Sequence, residues 1–221
     1  MLSAVQSKPT IGVAIPCYKP HIPKLIRLLQ SIEYQTVKPI QVAISCSSCQ
    51  PSDFPKLPEY SFEVIIVTTG KKQNTAVNRN IASKMLTTDR ISFIDADDLM
   101  LPPRLEFIQK AFDGGAQYVV HSFTEKATKE MLSPEPRILY DKLDVSSAIH
   151  LVNKDTITLP LHHAQVSLIR EIARKELFNE DTIHVLNADS DLCLRLFYQN
   201  LPNAYIENPL TVYQPSLTCF E

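Results

Sequence analysis

Asp95, Asp97 and Asp98 stand within four residues of one another, directly after a short apolar run that carries Ile91, Phe93 and Ile94. Carboxylates this close raise one another's pKa and resist joint ionisation, so the cluster calls for a cation. A hard divalent ion held by oxygens meets that need, and such ions commonly bridge a protein carboxylate and substrate phosphates. The stretch therefore reads as a metal–diphosphate site at the C-terminal edge of an α/β sheet, where open sheets bind their ligands. A strand that ends in a solvated acidic turn is the plainer alternative. Further along, Asp189 and Asp191 fall in the first turn of a helix expected over 187–200. There they could take a proton from a substrate, or they could simply stabilise a helix N-terminus, as carboxylates do. His162 and His163 precede an expected strand, and Cys46 and Cys49 form a CxxC. With no second pair and no matching histidine spacing, that CxxC reads as incidental thiols rather than a zinc site.

The elements that must position these groups follow from apolar periodicity. Residues 10–16 (TIGVAIP) form an almost wholly apolar run stopped by proline, as in a strand buried on both faces. Ile22, Leu25, Ile26, Leu29 and Ile32 predict an amphipathic helix over 22–34, with Pro23 in its first turn. Strands are expected at 40–45, 62–68 and 91–95, with a helix over 75–86 before the last of these. The order β-α-β-β-α-β, with short buried strands, argues an α/β sandwich on a largely parallel sheet. Pro102 and Pro103 open a helix ended by Gly114 and Gly115, and a fifth strand is expected at 116–123. Residues 124–160 are polar and weakly periodic, and read as an excursion that shapes a binding cleft. A strand at 164–169, a helix from Arg170, the helix over 187–200 and extended pieces at 204–207 and 211–214 complete the chain.

At 221 residues the chain suits one domain with a substantial core. Hydrophobic and charged contents of 44% and 21% are those of an ordinary globular protein. With a net charge of −2, nothing suggests a nucleic-acid binder, which would show a basic face. No apolar run approaches the ~18 residues of a membrane span. The N-terminal residues lack the apolar core of a signal peptide, and the five cysteines are irregularly placed, so reduced thiols and a cytoplasmic location are expected.

Four stretches in order resemble the inverting family-2 glycosyltransferases of GT-A fold: AIPCYKPH (14–21), VNRNIA (77–82), FIDADD (93–98) and NADSDLCLRL (187–196). The first of them resembles, more loosely, the branch of the family found in large DNA viruses. The resemblance covers about residues 10–215. It implies a single α/β/α sandwich with a central mostly parallel mixed sheet, binding the donor with about residues 10–100 and the acceptor with about 101–215. It implies metal-dependent transfer of one sugar, with inversion, from a nucleotide-diphosphate donor, UDP-linked, to a glycan or glycoprotein acceptor. Mn²⁺ or Mg²⁺ is the implied cofactor. By the same resemblance Asp95 would bond the donor ribose and join Asp97 at the metal, with Asp97 the direct ligand. Asp98 would orient this pair or the donor sugar. Pro16 and Tyr18 would line the donor site, with Tyr18 against the base, Arg79 and Lys71 or Lys72 would add positive charge near the phosphates, and His163 would approach phosphate or acceptor. Asp189 maps to the catalytic base, with Asp191 as the alternative.

Two departures stand out. The glutamate that precedes the family's base is Ala188, and the acidic turn that usually closes the second strand is replaced by Ser45–Ser48 (SCSS). Ser45 can still hydrogen-bond a base edge, but the acid that reads uracil is missing. The processive synthases' QxxRW element is absent, which favours single-sugar transfer. A nucleotide-sugar-binding or scaffolding domain without turnover is the first alternative, and a phosphatase with an Asp-x-Asp after its strand is the second.

Overall fold

The computed structural model describes residues 8–141, 165–181 and 188–214. In chain order the elements are β1 (Ile11–Tyr18), α1 (Ile22–Glu33), β2 (Gln41–Ser47), β3 (Glu63–Thr69), α2 (Thr75–Met85), β4 (Arg90–Phe93) and β5 (Leu99–Met100). There follow α3 (Arg104–Asp113), β6 (Tyr118–Thr124), β7 (Ile138–Tyr140), β8 (Val166–Ile169), α4 (Arg170–Lys175), α5 (Ala188–Tyr198) and β9 (Asn203–Val212). The strands form one sheet in the order β3-β2-β1-β4-β8-β6-β9-β5, with β7 also on β9.

β1 to β4 pair parallel, so every connection between them crosses a sheet face and every strand end points the same way. Alternation along β1 divides the core. Val13, Ile15 and Cys17 meet α1 and α3 on one face, together with Leu25, Leu28, Leu29, Leu105 and Ile108. Ala14, Ala43, Ile91 and Phe93 face α2, α4 and α5 on the other, against Ala76, Ile172, Leu192 and Leu196. The residues that β1 turns toward α2 are small. A Cβ on Gly12 would stand 2.6 Å from Thr88 Oγ1, so glycine is what allows that approach.

α1 covers 22–33 and buries Ile22, Leu25, Leu29 and Ile32 of the periodic set together with Leu28, while Ile26 is half-buried. α2 begins where Asn74 Oδ1 accepts the Val77 N–H at 2.9 Å, an N-cap that fixes the helix's first turn. Two expectations are corrected. The fourth strand stops at Phe93 instead of 95, because the Asp98 N–H donates to the Asp95 carbonyl and turns the chain. The extended pieces at 204–207 and 211–214 are one ten-residue strand, β9, whose register against β6 shifts around Ser122 and so accommodates Pro209. β5 was not signalled by the sequence. Within 124–160, β7 is a strand, and residues 142–160 lie outside the described residues.

Candidate functional site

The ends of β1 and β4, the start of α2 and the residues after β9 meet in a cleft of about 180 Å³. Pro16, Cys17, Tyr18 and His21 form its β1 side, and Gln73, Thr75 and Asn78 the α2 side. Asp95 and Asp97 close it at β4, with Tyr213 and Gln214 beyond. Of the sequence candidates, Pro16, Tyr18, Asp95 and Asp97 thus share one cleft. Parallel strands put their C-terminal ends on one edge, and that edge collects chemistry from segments far apart in sequence.

Arg79 is the centre of the arrangement. It is 4% exposed and projects from α2 between the ends of β4 and α5. One guanidinium nitrogen donates to both oxygens of Asp95, at 2.9 and 3.0 Å, and the other donates to Asp189 Oδ1. Burial works against its charge, but Asp189, Asp95 and Asp98 together outweigh that cost and hold its pKa raised. Its plane lies over the Phe178 ring, 5.1 Å from the centroid. A planar, permanently charged fork suits this double carboxylate contact as lysine would not.

Asp97 has looser company: Lys24 Nζ at 3.8 Å and His21 Nδ1 at 4.0 Å. Burial, and then the Asp95 charge, push its pKa up despite those two neighbours. Asp98 turns away from the cleft. Its Oδ1 accepts the Gln214 N–H at 3.0 Å, tying the segment after β9 to the acidic turn. Burial, and next Asp95, raise its pKa to about 8. Beneath it, fully buried Arg104 donates to the Phe93 carbonyl, Ser92 Oγ and Thr211 Oγ1, which joins β4 to β9.

Other candidates stand elsewhere. Ser45 is fully buried and donates to Asn78 Oδ1 at 2.9 Å, beneath the cleft floor. Asp191 accepts from Arg195 Nε at 3.0 Å, one turn along α5, and Arg195 also holds Glu176. Lys72 lies over the Tyr18 ring, 5.7 Å from its centroid, and Lys71 is exposed. His163 lies outside the described residues. Sequence reasoning missed His21, Lys24, Gln73, Asn78, Tyr213 and Gln214. The position of Asn78 beside Arg79 in VNRN was a usable signal, whereas Gln214 had none.

Among the described residues no group of three or more His, Cys, Asp or Glu side chains is placed to hold a metal ion. The donor set fits a different arrangement, in which one carboxylate and the oxygens of a diphosphate share the ion, as Mg²⁺ sites commonly do. Asp97 suits that part, since it lines the cleft and its side-chain neighbours Lys24 and His21 stand 3.8 and 4.0 Å away, while both oxygens of Asp95 are on Arg79. No described helix is long and apolar enough to cross a membrane.

No curated protein matches the chain in sequence. Among solved structures it is similar to S. aureus TarS 1–349 in complex with UDP-GlcNAc, with TM-score 0.64 and 11% identity over 94% of this chain and 59% of that one. The complex of the same protein with UDP gives TM-score 0.62 and 11% identity, over 94% and 61%. The chain thus spans about three fifths of the length of these neighbours, and the likeness is one of fold: the GT-A arrangement of a nucleotide-diphospho-sugar transferase. The sequence itself matches Glycosyl transferase family 2 over residues 12–178, a stretch that holds β1, Arg79 and the aspartates after β4 and stops before Asp189. On that match, over most of its length, the chain belongs to glycosyl transferase family 2.

Proposed function

We propose that the chain moves one sugar, with inversion, from a UDP-sugar to an acceptor hydroxyl on a glycan or glycoprotein. The observation that carries the reading is the bridge from Asp95 through Arg79 to Asp189, which sets a strand-end acid and a helix-start acid on one buried cation. UDP and UDP-GlcNAc in the TarS complexes support the choice of donor.

Breaking the anomeric bond leaves charge on a diphosphate, which the site must stabilise. Mn²⁺ or Mg²⁺ bound at Asp97 would supply Lewis-acid stabilisation of that charge. Lys24, 3.8 Å from Asp97, adds positive charge at the same end, and His21 Nδ1 stands 4.0 Å from the same carboxylate. Asp95, clamped by Arg79, presents a fixed acceptor edge to the ribose. Asp189 takes the proton of the attacking hydroxyl, and Arg79 fixes its orientation. A positioned base contributes about 10²–10⁴-fold. Asp189→Asn therefore lowers kcat by at least about a hundredfold with little change in donor Kd, as measured by sugar transfer and by calorimetry with UDP. A loss of less than about tenfold removes Asp189 from the role and passes it to Asp191.

A further inference from the structure

We infer that the base end of the donor cleft discriminates weakly between uracil and cytosine, because the amide of Gln73 reads the base edge where a carboxylate would otherwise do so. The inference rests on the proposed nucleotide donor and extends it. The sheet order sets the two ends of the cleft. Asp95 and Asp97 follow β4 on one side of β1, while Gln73 and Thr75 follow β3 on the other, and Tyr18 ends β1 between them. Carboxylates suit a cation and a diphosphate, whereas an aromatic ring beside an amide and a hydroxyl suits a heterocycle.

Several polar groups near the Tyr18 end are already engaged, and Lys72 Nζ lies 5.7 Å from the centroid of the Tyr18 ring. Ser45 and Ser47 are fully buried and both are engaged by Asn78. Asn78 accepts from Ser45 and donates to Ser47 Oγ at 3.2 Å and to the Cys17 carbonyl at 3.3 Å, so its amide is pinned. Asp53, the first acid after β2, is held by Lys19 Nζ at 2.8 Å and by the Gln50 N–H at 2.8 Å. Gln73 lines the cleft, and its amide has no partner among the described residues.

A carboxylate only accepts, but an amide carries an acceptor and a donor side by side and exchanges them by turning over about its last bond. Uracil presents N3–H beside the O4 acceptor, and cytosine presents the N3 acceptor beside N4–H₂. One orientation of the Gln73 amide pairs with the first edge, and the turned orientation pairs with the second. A site committed to one polarity rejects the wrong partner by about 10⁴-fold or more, and this site carries no such commitment.

Calorimetric titration of the full chain with UDP and with CDP, in one Mg²⁺ buffer, tests it. The two Kd values are expected within about tenfold of each other. Gln73→Glu leaves an acceptor alone and Gln73→Lys a donor alone; each base edge carries one donor and one acceptor, so either variant should lose one of the two bonds to both nucleotides and raise both Kd values by about tenfold. Gln73→Met should weaken both nucleotides alike. A wild-type preference above about a hundredfold, or Kd values that no Gln73 variant moves, overturns the inference and leaves the UDP-sugar donor standing. Failure of both nucleotides to bind removes the donor and the inference together.

Discussion

The two sides of this sheet solve the problem of polar groups differently. From β3 to β1 the strands are apolar through their middles, and buried polar groups gather toward their C-terminal ends, where Ser45 and Ser47 meet Asn78. From β4 to β9 the polar groups lie inside: the Ser92 and Ser167 hydroxyls pair at 3.0 Å, and Arg104 and His121 are fully buried. The first side is a stiff platform for loops. The second is a set of strands joined by buried hydrogen bonds, and the cleft sits where the two meet. Buried polar ties of this kind are strong only when every member is satisfied, so the two sides should fail in different ways when cut.

The largest effect is expected where one side chain spans both. Arg79→Met leaves the largely buried carboxylates of Asp95 and Asp189 without that cation, which costs about 3–5 kcal/mol of stability as read by thermal or urea denaturation. It should also remove sugar transfer. A variant that stays within about 1 kcal/mol of the wild type would show that the bridge contributes little to holding the halves together.

A smaller effect is expected at the tie between the acidic turn and β9. Asp98→Ala releases the Gln214 N–H and with it one wall of the cleft, so the donor KM rises by about tenfold while kcat moves less. Asp98→Asn keeps an acceptor oxygen and should restore most of the loss. An equal loss in both variants would show that it is the charge, and not the tie, that matters.

The smallest effect concerns pH. His121 Nδ1 lies 2.8 Å from the Ser122 carbonyl, and its other ring nitrogen is buried without a partner among the described residues. Burial first, and Arg104 next, hold its pKa well below 6.5. Folded chains therefore keep His121 neutral while unfolded chains protonate it below pH 6.5. Stability is lost as pH falls through that value, by at most about 1.4 kcal/mol per pH unit for this one group. His121→Gln should flatten the decline between pH 6.5 and 5 in a series of melting curves. An unchanged slope would shift the acid sensitivity onto other groups.

The same contrast decides what could be read from the sequence. β1, β2, β3 and α1 are each a plain apolar or periodic run, and their expected bounds agree with the structure to within a residue or two. Asp95, Asp97 and Arg79 were legible because each sits at a strand end or on a helix whose neighbours announce it. β9 was not legible as a single strand, because Asn203, Glu207, Asn208 and Pro209 interrupt any alternation, and its partners are 64 to 113 residues away. Nor was the fate of Ser45. Its type suggested a base contact, and only the register of β2 beside α2 shows the hydroxyl committed to Asn78.

β9 has β6 along one flank, while the other is shared by two short strands, β7 beside its first half and β5 beside its last two residues. A ten-residue strand left open would offer a row of unpaired amides to any passing chain, an invitation to aggregate. Here Ile138–Tyr140 and Leu99–Met100 act as two small shutters over that row. A three-residue and a two-residue strand are themselves poor templates for further pairing, so the chain closes its longest border with pieces too short to recruit another copy.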